Sequence, residues 1–430
     1  MAAAADGPLW HAFPIRTAGQ IEPADPMKIL FSHQNFPAQF GAFGGFLASQ
    51  GWDVSFATAA DVGQGPKGIR ILKMTPHRDP TEGVHRFARG FEKAIINGQA
   101  FANAAIQARK AGLQPDVVMG HAGWGSGTFA KAVWPDCKYV SYVEWYYRYP
   151  PVDSTSDTVQ REEDGRAMAI SQNAPTLVDI AQADLVLCPT HFQAEQFPSH
   201  IRDRLVVMHD GVDMTTHAPA ETPQLPASID SIPADAEIIT YATRGMEPHR
   251  GFPEFMRALE RLQARRPNLY AIIVGADRVA YGKSRQDGKS WKEQMQGELT
   301  LDESRIVWTG LLSRNDYIKV LQSTHAHVYL TVPFVLSWSL IEAMSIACPL
   351  VVSDSPPVRE VLQNGHSAEM VQMRDIDAIT DRVEHLLTDR DAAQRLGRAA
   401  RTKALTSYDN RWIWPARKAM LEDLQHGRLK

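Results

Sequence analysis

Residues 116–145 read DVVMGHAGWGSGTFAKAVWPDCKYVSYVEW. An apolar run, DVVM, stops at a histidine and a glycine-rich turn. A helical stretch, TFAKAVW, follows, and then a second apolar run, KYVSYVEW. Most runs of this kind in the chain are continuous rather than alternating with polar residues. A strand reads that way when both of its faces are covered, as in parallel sheets flanked by helices. Working outward, the same unit repeats. Before it lie KILFSH (28–33), DVSFAT (53–58) and IRILKM (69–74); after it lie LVLCPT (185–190) and LVVMHD (205–210). A second series runs through IITYAT (238–243), LYAIIVG (269–275), RIVWTG (305–310), AHVYLT (326–331) and PLVVSD (349–354). Strand and helix in alternation predict an α/β class.

The two series are separated by THAPAETPQLPASIDSIPADAE (216–237), which holds four prolines and no helical period. That composition predicts a linker. A chain of 430 residues also exceeds what one core usually serves. The expected layout is a first domain over 27–215, the linker 216–237, a second domain over 238–406, and a last helix within 407–430 carrying Trp412 and Trp414. Residues 1–26, with Ala2 to Ala5 and four prolines, lack the pattern of a signal peptide and read as a disordered tail.

A formal net charge of -4 argues against a nucleic-acid binder. Cys137, Cys188 and Cys348 are far apart in sequence, with no zinc or disulfide spacing, so a reducing, cytoplasmic compartment is expected. No run reaches the roughly 18 apolar residues of a spanning helix.

In open α/β sheets, ligands bind at the carboxyl ends of the strands, and three such places stand out. In GHAGWGSGT (120–128), His121 ends a strand, and glycines including Gly123 and Gly125 let the backbone approach a ligand at a helix start. In YATRGMEPHRG (241–251), Arg244 and Arg250 bring two guanidinium groups to a strand end, which suits a diphosphate. In TVPFVLSWSLIEAMSIACPLVVSD (331–354), Ser337 and Ser339 are candidate caps of a short apolar helix, and Glu342 is a carboxylate able to take two ribose hydroxyls. Glu144 and Tyr146, after the fifth run, could face an acceptor, or belong to an aromatic core cluster. The pairs Asp375/Asp377 and Asp389/Asp391 lie in a polar helical tail and read as solvated surface; His325 and His327 read as packing residues.

Taken in this order, the three sites resemble retaining glycosyltransferases of family 4, a bacterial branch, with the GT-B fold: two Rossmann-like domains facing across a cleft. HQNFPAQF (33–40), PDVVMGHAGWG (115–125), CPTHFQAEQFP (188–198), HDGVD (209–213) and YATRGMEPHRGFPEFMRAL (241–259) carry the resemblance. It implies that Arg244 and Arg250 grip the donor diphosphate, that Glu342 holds the ribose, that His121 stands beside the donor sugar, and that the last helix crosses back to the first domain. One departure stands out: the family's first glutamate, eight residues before Glu342, is Phe334 here. Backbone N–H groups of Leu336, Ser337 and Trp338 are then expected to carry more of the donor contact.

The expected activity is metal-independent transfer of a sugar, with retention, from a UDP- or GDP-linked donor to an acceptor hydroxyl, and no cofactor. The acceptor would be a glycan, a lipid-linked or a small molecule, within polysaccharide or glycoconjugate synthesis. Peripheral contact with the inner face of the cell membrane, and no nucleic-acid partner, complete the expectation. A sugar-nucleotide epimerase of the same fold and a non-catalytic binding protein remain as alternatives.

Overall fold

The computed structural model describes residues 26–63, 65–154, 162–229 and 231–429. The expected tail, apart from Pro26, lies outside them. The chain divides into two compact units. The first runs to Pro151, resumes before the helix Glu162–Gln182 to end at Gly211, and takes up Arg411–Lys430; the second contains Val212–Asn410.

In the first unit the strands are β1 (Lys28–Ser32), β2 (Asp53–Thr58), β3 (Ile69–Lys73), β4 (Val117–His121), β5 (Lys138–Tyr142), β6 (Leu185–Cys188) and β7 (Leu205–Val207). They form one parallel sheet in the order β3-β2-β1-β4-β5-β6-β7, with Ile29 opposite both Val54 and Val117. One face packs Ile29, Phe31, Phe56 and Met119 against Phe40, Phe43 and Leu47 and against Met420 and Leu421 of the C-terminal helix Asn410–Gln425. The other packs Leu30 and Val118 against Ala100 and Phe101 of the helix Arg89–Lys110. Each fully buried apolar side chain of this kind contributes roughly 1.5–3 kcal/mol.

The second unit contains β8 (Glu237–Gly245), β9 (Leu269–Ala276), β10 (Ile306–Gly310), β11 (Ala326–Tyr329), β12 (Leu350–Ser353) and β13 (Glu369–Val371). Their order is β10-β9-β8-β11-β12-β13, again parallel throughout. The helix Phe252–Arg265 covers one face through Phe255, Met256 and Leu259; the helix Trp338–Ser345 covers the other through Leu340, Ile341 and Met344.

The unit boundary falls at Gly211/Val212, ahead of the proline-rich stretch expected to be the linker. That stretch is packed on the second unit: buried Ile229 joins Ile238, Ile272 and Val274, with Leu225 and Ile232 against them. The apolar residues scattered among its prolines provide the anchorage that composition alone conceals.

In both sheets the strand order reverses beside the first strand, between β1 and β4 and between β8 and β11. Chains leaving the carboxyl ends at such a point diverge to opposite faces and leave a crevice. In the first unit that point is flanked by HQNFP and GHAGWG, in the second by RGMEPHR and LTVPFVLS.

Candidate active site

At the reversal point of the second unit, β8 shifts register between Ala242 and Gly245 and runs into a single 3-10 turn, Pro248–Arg250. Gly251 closes the turn at φ 64, where an added Cβ would lie 2.4 Å from Leu330 Cβ. Only glycine fits there, and the close approach brings Arg250 against the end of β11. The Tyr241 hydroxyl donates to the Arg250 carbonyl at 2.7 Å and fixes the turn.

The Arg250 side chain is buried, 6% exposed, and none of its partners is a carboxylate. It donates to Thr331 Oγ1 (2.8 Å), the Tyr329 hydroxyl (3.4 Å) and the Val335 carbonyl (3.3 Å). The guanidinium carbon lies 5.0 Å from the ring centre of Tyr281 and 5.9 Å from that of Phe334, and these two rings meet edge to face at 5.4 Å. A narrow recess beside it is lined by Thr243, Arg244, Tyr281, Tyr329, Ser337 and Ser339. Arg244 is exposed at its edge.

A cation taken out of water without a counter-charge is costly. Hydroxyls and rings surround this cation in place of a carboxylate. Tyr281 is positioned by a residue read past in the sequence. The fully buried Glu247 carboxylate accepts from the N–H groups of Ala280 and Tyr281, both 3.0 Å, and Gly282, 2.7 Å. Its signal was present in RGMEPHRG as a carboxylate between two arginines, but the loop that it holds lies more than thirty positions later.

The recess gathers Arg244, Arg250, Ser337 and Ser339 from the residues singled out in the sequence. Ser337 caps the helix Trp338–Ser345, accepting from Ser339 N, while its own N–H donates to the Tyr329 hydroxyl at 3.2 Å. Leu336, immediately before it, is buried and belongs to the core. Trp338 is half-buried at the helix start. Glu342 is buried and is not among the residues that line this recess. It accepts from Arg314 at 3.1 Å, and the His217 ring nitrogen stands 3.7 Å off.

In the first unit, His121 ends β4 and is buried. Its Nε2 lies 3.0 Å from Glu144 Oε2, its Nδ1 3.0 Å from the Ala122 carbonyl. Both partners are acceptors, an arrangement that favours the ring with a proton on each nitrogen. Gln39 donates to the other Glu144 oxygen at 3.0 Å, and Gln193 to the Glu144 carbonyl at 2.8 Å. Burial pushes the His121 pKa down, but the hydrogen bond and charge of Glu144, with the Ala122 carbonyl and Asp210, outweigh it and hold it above the ordinary 6.5. Glu144 is pushed up by burial, but the His121 bond and charge with the Gln39 bond outweigh this and hold it below 4.5. The histidine's share of stability is therefore full below about pH 6.5 and fades as pH rises through its raised value; the glutamate's fades as pH falls through its lowered one. Urea unfolding of parent and Glu144→Gln across this range should differ most between those two values and converge on either side. A pH-independent difference would show the pair to be uncharged.

The glycine-rich loop behaves differently from the expectation of a ligand cradle at Gly123 and Gly125. Gly123 N donates to Asp179 Oδ2 at 3.1 Å, and Thr128 Oγ1 to Asp179 Oδ1 at 2.7 Å. The anion at this turn is the protein's own carboxylate. A Cβ on Gly125, at φ 80, would meet the Ala94 carbonyl at 1.8 Å, so this glycine admits the helix Arg89–Lys110. Of the two acceptor candidates, Glu144 is committed to His121, and Tyr146 packs on Phe197 with ring centres 5.2 Å apart. Asp375 and Asp389 cap the helices that follow them, and Asp377 pairs with Arg261. His325 Nδ1 accepts from Ile238 N at 2.9 Å, and His327 bonds Thr240 at 2.8 Å, both within the sheet.

Residues 50–217 match the family model described as glycosyl transferase family 4 group, and residues 228–403 the model described as glycosyl transferases group 1. A phosphatidyl-myo-inositol mannosyltransferase of Mycolicibacterium smegmatis is 27% identical over 188 residues, 43% of this chain and 43% of that protein. Among solved structures, sucrose-phosphate synthase of Thermosynechococcus elongatus has a TM-score of 0.69 at 17% identity, covering 94% of this chain and 100% of that one. Anabaena HepE in complex with UDP and glucose has a TM-score of 0.67 at 15% identity, covering 92% and 100%. With a glycosyltransferase model matching each unit and the fold shared along nearly the whole chain, the protein is a glycosyltransferase of GT-B type.

Proposed function

We propose that the chain moves a sugar from a nucleoside-diphosphate sugar, UDP- or GDP-linked, to an acceptor hydroxyl, with retention at the anomeric carbon and without a metal ion. The observation that carries this reading is the buried Arg250 guanidinium, which has no carboxylate among its partners in a hydroxyl-lined recess at the second unit's reversal point. The diphosphate supplies the missing anion, and Arg244 adds a second cation at the edge. The UDP held by the HepE complex supports a uridine donor. As the bond from the anomeric carbon to the phosphate oxygen breaks, charge grows on the leaving diphosphate, and preorganised cations lower the barrier to that step. Phe334 stands beside Arg250 and Glu247 is bound to backbone N–H groups, so neither is an available nucleophile. The leaving phosphate oxygen would itself take the proton of the acceptor hydroxyl as that oxygen bonds to the anomeric carbon on the same face. The first unit would hold the acceptor, a glycan, lipid-linked or small molecule, and polysaccharide or glycoconjugate synthesis in the cytoplasm fits this chemistry. No helix among the described residues is long and apolar enough to cross a membrane.

UDP or GDP release from the matching nucleotide sugar should persist in EDTA, because Asp375 and Asp389 are spent on helix caps. Loss on chelation with recovery on adding magnesium or manganese would show the metal-independent mechanism to be wrong.

A further inference from the structure

A cavity of about 590 Å³ opens in the first unit, separate from the residues discussed so far. Its lining includes the cations Arg86, Arg89 and Lys93, the apolar Phe87, Pro80 and Met168, and one carboxylate, Asp79. From these residues we infer that this cavity is a seat for a phosphate-bearing acceptor, with the cations taking the phosphate and Phe87 and Met168 the adjoining organic part. Its role as the acceptor seat rests on the glycosyltransferase reading; the binding of phosphate does not.

Position supports the assignment. The segment lining the cavity follows β3 and enters the helix Arg89–Lys110, so it lies at the carboxyl end of the sheet, where His121 and its glycine-rich loop also lie. One turn along the same helix face from Lys93, Asn97 donates to the Trp124 carbonyl of that loop at 3.0 Å. The cavity is thus about one helical turn from the strand ends of the first unit.

The charges are available to a ligand. Arg86 pairs with Asp164 at 2.9 Å and Lys93 pairs with Asp79, but these pairs lie at the surface, with Arg86 57% and Asp79 83% exposed along the side chain. Exposed pairs of this kind are held weakly and yield to a doubly charged oxyanion. Arg89 is exposed and forms no ion pair among the described residues. The Arg86 guanidinium lies 4.6 Å from the Phe87 ring centre, which holds it at the apolar wall. Three cations against the two carboxylates Asp79 and Asp164 leave one positive charge in excess, which favours an anion, and a volume of this order matches a small-molecule site.

The test uses two phosphate sources and the full chain. Parent, Arg89→Glu, and Arg398→Glu, an exposed arginine of the second unit, are titrated with sn-glycerol 3-phosphate. They are also titrated with vesicles of phosphatidylglycerol and phosphatidylcholine in equal parts, against phosphatidylcholine alone. UDP affinity is measured on the same samples. The expected result is saturable binding of at least one phosphate probe by the parent, weakened at least about tenfold in Arg89→Glu and unchanged in Arg398→Glu, with UDP affinity equal in all three. Binding of glycerol phosphate identifies a soluble source; binding of the phosphatidylglycerol vesicles alone identifies a lipid one. Absence of binding to either probe, or equal weakening in both variants, overturns the inference. Phosphate binding without UDP binding would leave this site standing and remove the donor reading.

Discussion

Arg250→Met should lower affinity for the nucleoside diphosphate by roughly tenfold to a hundredfold while leaving the unliganded protein as stable as the parent, or more so. The two signs come from one cause. Hydrogen bonds to a charged group are worth about 1.5–3 kcal/mol, and each 1.4 kcal/mol is about tenfold in affinity. In the unliganded chain the same guanidinium is buried among Thr331, Tyr329, Val335 and two aromatic rings with no carboxylate partner. Replacing an uncompensated buried charge with an apolar side chain of similar length removes a desolvation cost. Calorimetric titration and urea unfolding on the same preparation report the two effects separately. A variant that loses stability and binding together would identify Arg250 as a structural pin, and one that binds as tightly as the parent would remove it from the phosphate site.

Asp210→Ala should cost about 3–5 kcal/mol of stability. Arg417, wholly buried on the C-terminal helix, reaches Asp210 Oδ1 at 3.3 Å and donates to the carbonyls of Met208 (3.1 Å) and His209 (2.9 Å). The Tyr142 hydroxyl donates to the other Asp210 oxygen at 2.8 Å, and Trp414 Nε1 to its carbonyl at 2.8 Å. His209 is kept neutral here, its pKa pushed down to about 3 by burial and by the Arg417 charge. Removing Asp210 leaves the guanidinium without its counter-charge. Removing both charges, as Asp210→Ala with Arg417→Met, should recover most of the loss. Urea midpoints for the single and double variants decide it: a single variant within about 1 kcal/mol of the parent would show that the carbonyls alone satisfy Arg417.

The sheets were legible because their strands are covered on both faces. KILFS and DVSFAT carry that burial as runs of apolar and small residues without a charged residue inside them, and the turn after the second carries Gly63, Gly65 and Gly68. The edge strand β13, Glu369–Val371, carries no such signal; three residues with a glutamate in first place are too short to show a period. Arg244 and Arg250 were legible as cations at a strand end. What surrounds them was not, because Tyr281 comes from a polar loop and reaches the site only through the Glu247 carboxylate. The same distance problem explains the glycine-rich loop: Gly123 follows a strand as an anion-binding turn would, and nothing near it in sequence reveals that Asp179 fills it. Glu342 shows the limit from the other side. Its place on an apolar helix was readable, its commitment to Arg314 was not.

The most direct test is a thermal-shift panel of UDP-, GDP- and ADP-linked sugars on the parent and on Arg250→Met. A buried cation waiting for a diphosphate predicts that a UDP- or GDP-sugar raises the parent's melting temperature saturably and raises that of Arg250→Met far less at equal concentration. No shift with any nucleotide sugar, or an equal shift in both proteins, would contradict the assignment of this recess as the donor site.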